Sequence, residues 1–142
     1  MCASVLTLHR SPSFAQGLDK FKNLTHLYLE NNEISQIEGL PEACLQKLYL
    51  NENDIEVIEN LENANNLTEL HVASQRLPPY QPLRFAPNII DTVAHTLLVL
   101  NIANNNIDTV VDVLRLTNLE KVRDRESSRA SEYPRCLREA SA

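Results

Sequence analysis

The sequence predicts an α/β solenoid, a stack of short coils with a parallel sheet on its concave side. A seven-position pattern, Leu-x-x-Leu-x-Leu-x-x-Asn-x-Ile-x-x-Ile-x-x-Leu, fills residues 24–40 and 45–61, and recurs with aliphatic replacements over 97–113. Its second leucine returns as Leu6, Leu27, Leu48, Leu70, Leu100 and Val122, at spacings of 21, 21, 22, 30 and 22. Composition agrees: 43% of the chain is apolar, yet only 5% is aromatic, with no Trp and two Gly. That mix suits an aliphatic core built from similar small units, none of which buries its apolar face without its neighbours.

The pattern identifies the coils as leucine-rich repeats. Leu-x-Leu is a short strand whose alternate side chains point inward, so each copy adds one strand to a parallel sheet. Asn32, Asn53 and Asn105 fall where the strand turns away, and a buried asparagine there can bond main-chain groups left unpaired. The isoleucines and final leucine pack the returning limb against the strand. Copies of about 22 residues leave room for irregular or 3₁₀ turns on the convex side rather than full helices.

Taken in order, Ala3-x-x-Leu6-x-Leu8 with Phe14 and Leu18 reads as a degraded first copy. The copies opened by Leu24 and Leu45 are complete. The next starts as Leu67-x-x-Leu70-x-Val72, but Gln75 stands at the asparagine position and Pro78, Pro79 and Pro82 follow Leu77. The 30-residue spacing adds eight residues to its outer limb. Pro78-Pro79 forbids regular helix and holds an extended excursion. Pro87 then suits a first helical position, and Ile89, Ile90, Val93, Ala94 and Leu97 follow at helical spacing, which predicts an α-helical insertion over 87–96. The insertion reads equally as tolerated extra length or as a functional element. A further complete copy follows, and Leu119-x-x-Val122 begins a last one.

The array therefore spans 1–122, about five repeats with the first and last degraded. Residues 123–142, "RDRESSRASEYPRCLREASA", match no template position and are expected to form a disordered tail. Neither end has an evident polar capping unit, so Leu114, Leu116 and Leu119 would be left partly uncovered: either a partner covers them or, the favoured reading, the chain is a shortened form of a longer array. Arg125-x-x-Ser128 and Arg129-Ala-Ser131 resemble basophilic kinase sites.

A net charge of −6 argues against sequence-independent nucleic-acid binding, which needs a positive face. No stretch approaches a membrane span, and Val5–Leu8 is too short for a signal peptide. Cys2, Cys44 and Cys136 are widely separated and odd in number, so neither a zinc site nor a disulfide framework is expected, and a reducing, cytoplasmic compartment is the simpler reading. No nucleophile stands beside a base with an orienting third group, and no Gly-rich phosphate loop exists. The expectation is a non-catalytic chain with no cofactor and no metal.

What the repeat does offer is a concave face. Stacked columns run through Thr7, Tyr28, Tyr49, His71 and Asn101, and beside them through His26, Lys47, Glu69 and Val99. Glu30 and Glu52 lie just beyond the strands, and Glu33 and Asp54 between the asparagines and isoleucines. Two adjacent tyrosines and a histidine among Glu30, Glu33, Glu52, Asp54 and Glu69 form an aromatic, acidic patch. Tyrosine is enriched at interface hot spots, and the acids would steer a basic partner. The plainer alternative is that exposed strand positions favour tyrosine anyway.

Three stretches sharpen this: "NLTHLYLENNEISQIEGL" (23–40), "LTELHVASQRLP" (67–78) and "LNIANNNID" (100–108). They resemble the short leucine-rich repeats of protein phosphatase 1 regulatory subunits and related ciliary proteins. The Gln-Arg-Leu-Pro after a broken copy, then an insertion and Leu-Asn-Ile-x-Asn-Asn-Asn-Ile-Asp, is the distinctive part. The likeness runs from about Ser4 to Val122. It implies binding to the protein phosphatase 1 catalytic subunit in a cytoplasmic setting near microtubules and the centrosome. The sequence holds no basic-Val-x-Phe docking peptide, so such a contact would use the folded array. Tubulin or centrosomal proteins, bound by a cytoskeletal adaptor without a phosphatase role, are the alternative partners, and a truncated, inactive product is the third reading.

Overall fold

A computed structural model describes residues 4–8, 18–41, 43–107 and 121–123. Six short strands, β1 (Val5–Thr7), β2 (His26–Tyr28), β3 (Lys47–Tyr49), β5 (Glu69–His71), β7 (Val99–Asn101) and β8 (Lys121–Arg123), lie side by side in one parallel sheet in that order. The gaps in the series belong to β4 (Val57–Ile58) and β6 (Arg84–Phe85), which pair with each other in a second, two-stranded parallel sheet.

The register is the one the leucine spacing requires. Leu6 faces Leu27, Leu27 faces Leu48, Leu48 faces Leu70, Leu70 faces Leu100, and Leu100 faces Val122. Leu27, Leu48, Leu70 and Leu100 are wholly buried, flanked on each strand by half-buried residues. Burying one such side chain contributes about 1.5–3 kcal/mol. Ile34, Ile37, Ile55, Ile58 and Leu61 close the same core from the returning limb.

Coil-to-coil bonding extends past the strands at both ends. The Thr25, Gln46, Thr68 and Leu98 amides donate to the carbonyls of Ser4, Thr25, Gln46 and Thr68, one coil back. Past the strands, the amides of Asn31, Glu52 and Ser74 donate to Asn51, Ala73 and Ala103. Those three donors and Asn104 have φ between 54° and 56°, so each of these four coils turns through a left-handed residue one position before its buried amide side chain. Two of the four are asparagine, which tolerates that region better than most residues.

The convex side departs from the sequence expectation in two respects. The first described outer limb does carry a 3₁₀ turn, Leu18–Lys20, but β4 and β6 form a small sheet that no periodicity announced. The extended excursion instead turns: the Gln81 amide donates to the Pro78 carbonyl at 3.1 Å, and Tyr80 takes φ 68° at the tip. The turn brings the chain back so that Arg84–Phe85 can run beside Val57–Ile58. The helix is shorter than 87–96, covering only Ile89–Val93 (α1) after Asn88. It stops because Leu97 must be buried to start the next coil, and the Thr96 and Leu97 amides close a tight turn onto the Val93 carbonyl.

Cys44 is disulfide-bonded, contrary to the expectation from cysteine number and spacing; its partner lies outside the described residues. Leu114, Leu116 and Leu119, the predicted tail and the kinase-like triplets also lie outside them, apart from Arg123, which belongs to β8.

Candidate concave binding site

The site rests on a ladder of buried amide side chains. Asn53 Nδ2 donates to the carbonyls of Leu50 (2.9 Å), Asn51 (3.2 Å) and, one coil back, Leu29 (2.9 Å), while its Oδ1 accepts from the Ile34 amide at 3.2 Å. Asn32 donates to Leu29, Glu30 and Leu8, and Asn105 to Ile102 and Val72. Gln75, the apparent break in the pattern, does the same work. Its Nε2 reaches the Leu50 carbonyl at 2.9 Å and its Oε1 accepts from the Ile55 amide at 3.0 Å. One extra methylene is absorbed without loss of the ladder. These bonds fix each turn, and with it the strand residues that face outward.

On that face Tyr28, Tyr49 and His71 form a continuous stack. The Tyr28 and Tyr49 ring centroids are 4.4 Å apart at 14°, and those of Tyr49 and His71 4.3 Å at 15°. The parallel register places the rings in adjacent strands, and ring spacing follows strand spacing. Asn101 holds the next place in the column. All three rings are half-buried rather than exposed.

The acids are more engaged than the sequence suggested. Lys47 Nζ lies 2.8 Å from Glu69 Oε1, the Tyr49 hydroxyl donates to Glu69 Oε2 at 3.2 Å, and His71 Nε2 is 3.7 Å from the same oxygen. Burial works to raise the Glu69 carboxyl, but Lys47, the Tyr49 hydroxyl and His71 outweigh it, leaving its pKa below the usual value. Burial, then the charge and hydrogen bond of Glu69, push the Tyr49 phenol up to about 12. Asn51 Nδ2 donates to Glu30 Oε1 at 2.6 Å, and His26 Nδ1 lies 2.8 Å from the Thr25 hydroxyl.

Arg76 was not among the expected site residues, although it occupies the column of Glu33 and Asp54. Its Nε and Nη2 hold the two Asp54 oxygens at 3.1 and 3.2 Å, and Nη2 also reaches the Asn32 carbonyl two coils back. The hydrogen bond and charge of Asp54, with Glu33 and Glu52 nearby, raise the guanidinium pKa further. Column position alone could have found Arg76 and Gln75. Glu33 and Glu52 remain exposed at the rim.

Among the described residues no group of histidine, cysteine and acidic side chains could hold a metal ion, and no helix is long and apolar enough to cross a membrane. Residues 23–43 match the family model described as Leucine Rich Repeat. The fold is a leucine-rich repeat solenoid. Over 66 residues, 46% of this chain, the sequence is 38% identical to protein phosphatase 1 regulatory subunit SDS22 of Schizosaccharomyces pombe. The matched stretch is 20% of that relative's length. The leucine-rich repeat chain is thus related, over part of its length, to a phosphatase regulator.

Proposed function

We propose that this chain is a non-catalytic regulatory or targeting module that binds the protein phosphatase 1 catalytic subunit through its concave face. The observation that carries the reading is the Tyr28–Tyr49–His71 stack, a pre-ordered aromatic surface bordered by Glu30, Glu33 and Glu52. Aromatic side chains already held in place lose little conformational freedom on docking. The partial match to SDS22 supports the choice of partner. So does the likeness of 23–40, 67–78 and 100–108 to protein phosphatase 1 regulatory subunit 42, also called testis leucine-rich repeat protein.

Recovery of the phosphatase catalytic subunit on the immobilised chain tests the partner. The same assay with Tyr28→Ala/Tyr49→Ala tests the face. Capture by the unaltered chain and loss with the variant are expected; equal capture rejects the face, and no capture rejects the partner. Pelleting with microtubules in place of phosphatase capture would favour the cytoskeletal adaptor instead.

A further inference from the structure

Among the described residues, Tyr80 is the most exposed large apolar side chain, at 93%. It stands in the turn closed by the Gln81 amide on the Pro78 carbonyl, directly after Pro79, and its own φ is 68°. Proline holds the second residue of such a turn at φ of about −65°, so a positive φ at the third makes this a type II turn. That third place ordinarily takes glycine or asparagine, because a bulky ring is disfavoured in the left-handed region. Tyr80 returns almost no burial to the fold in exchange.

The tip is carried on a fixed base. Both feet of the loop stand on the preceding coil: the Arg76 amide donates to the Asn53 carbonyl at 2.7 Å, and the Arg84 amide to that of Glu56 at 3.0 Å. The Arg76 side chain grips both Asp54 oxygens, while Leu83 and Phe85 anchor the second foot in the core. Between the feet Pro78, Pro79 and Tyr80 are exposed and uncharged. The first foot, Gln75 and Arg76, holds the columns of Asn53 and Asp54, in the coil whose strand carries His71. The tip therefore rises where the chain leaves the rim of the concave face.

An unfavourable backbone conformation that a rigid surround maintains, with no return in burial, points to a contact outside the chain. Tyrosine is a residue type enriched at hot spots, and a ring held by two prolines and a closed turn has little freedom left to lose on docking. The complement of an uncharged, aromatic tip is an apolar recess with a hydrogen-bond acceptor for the phenol.

We propose that the 78–81 turn is a second docking element, whose Tyr80 ring inserts into an apolar recess of the partner held on the concave face. This inference rests on that reading for the identity of the partner.

Two measurements test it. The first needs no partner: Tyr80→Asn removes the ring and installs a residue suited to positive φ, so its midpoint of chemical denaturation should equal or exceed that of the unaltered chain. A lowered midpoint would show that the ring serves the fold, and overturns the proposal.

The second is calorimetric titration of the protein phosphatase 1 catalytic subunit. Tyr80→Asn is expected to weaken binding at least about tenfold, whereas Tyr80→Phe, which keeps the ring, retains most of the affinity. If Tyr80→Asn binds as tightly as the unaltered chain while Tyr28→Ala/Tyr49→Ala is weakened, the anchor is overturned and the concave face stands. The reverse result keeps the anchor and rejects the face. A phosphatase that fails to bind the unaltered chain overturns the choice of partner and the anchor with it.

Discussion

Gln75 and Asn53 donate to the same carbonyl, that of Leu50, from two successive coils. A glutamine therefore maintains the ladder where the repeat pattern breaks, and its acceptor oxygen serves the buried Ile55 amide as Asn53 serves Ile34. Removing either side chain leaves a buried amide without its partner, at about 1–3 kcal/mol. Gln75→Ala and Asn53→Ala should both lower the midpoint of chemical denaturation, with Asn53→Ala the more severe because three carbonyls also lose a donor. An unchanged midpoint for Gln75→Ala would show that the Gln75 side chain adds nothing to the ladder.

The strand leucines should behave as core residues despite the thinness of each coil. Leu48 is fully buried between Leu27 and Leu70. Leu48→Ala is expected to cost about 2–5 kcal/mol, by lost transfer energy and an unfilled cavity. Denaturant unfolding monitored by circular dichroism measures the loss.

Much of this was legible in the chain. The leucine spacing fixed the strands and their partners, because a slip of one residue would turn each buried leucine outward. What escaped were features with no period. β4 and β6 are two residues each, too short to alternate, and they meet only because the chain turns at Tyr80. The helix is shorter than its apolar spacing implied because Leu97 must be buried to open the next coil, and its amide closes a turn onto Val93. At the candidate site, column membership was readable, but pairing was not. Lys47 and Glu69 were each placed correctly, yet their mutual neutralisation appears only once β3 and β5 are in register.

Tyr49 gives a signature at high pH. Its folded pKa of about 12 lies above the ordinary value of 10.0, so between those limits the folded chain holds a proton that the unfolded chain has released. Stability contributed by this group is complete below pH 10 and falls as pH rises toward 12. Tyr49→Phe should flatten that decline in denaturation experiments, and ultraviolet difference titration should lose its latest-ionising tyrosine.

Glu69 gives the opposite dependence. Its folded pKa is lowered below 4.5, so its contribution is present above that value and disappears as the pH falls through the folded pKa. Lys47→Met removes the principal partner. The pair is partly solvated, at 32% and 24% side-chain exposure, so the loss near neutrality should be no more than about 1 kcal/mol. The gap between Lys47→Met and the unaltered chain should narrow on acidification; a gap independent of pH would assign the effect to lost packing.

The account turns on whether the stacked concave rings are a docking surface for the phosphatase. Calorimetric titration of the protein phosphatase 1 catalytic subunit into the unaltered chain and into Tyr28→Ala/Tyr49→Ala, with thermal melts to establish that both are folded, measures this directly. Loss of a hot-spot pair predicts binding weakened by at least about 30-fold in the variant. Equal affinity for two folded chains would contradict the account.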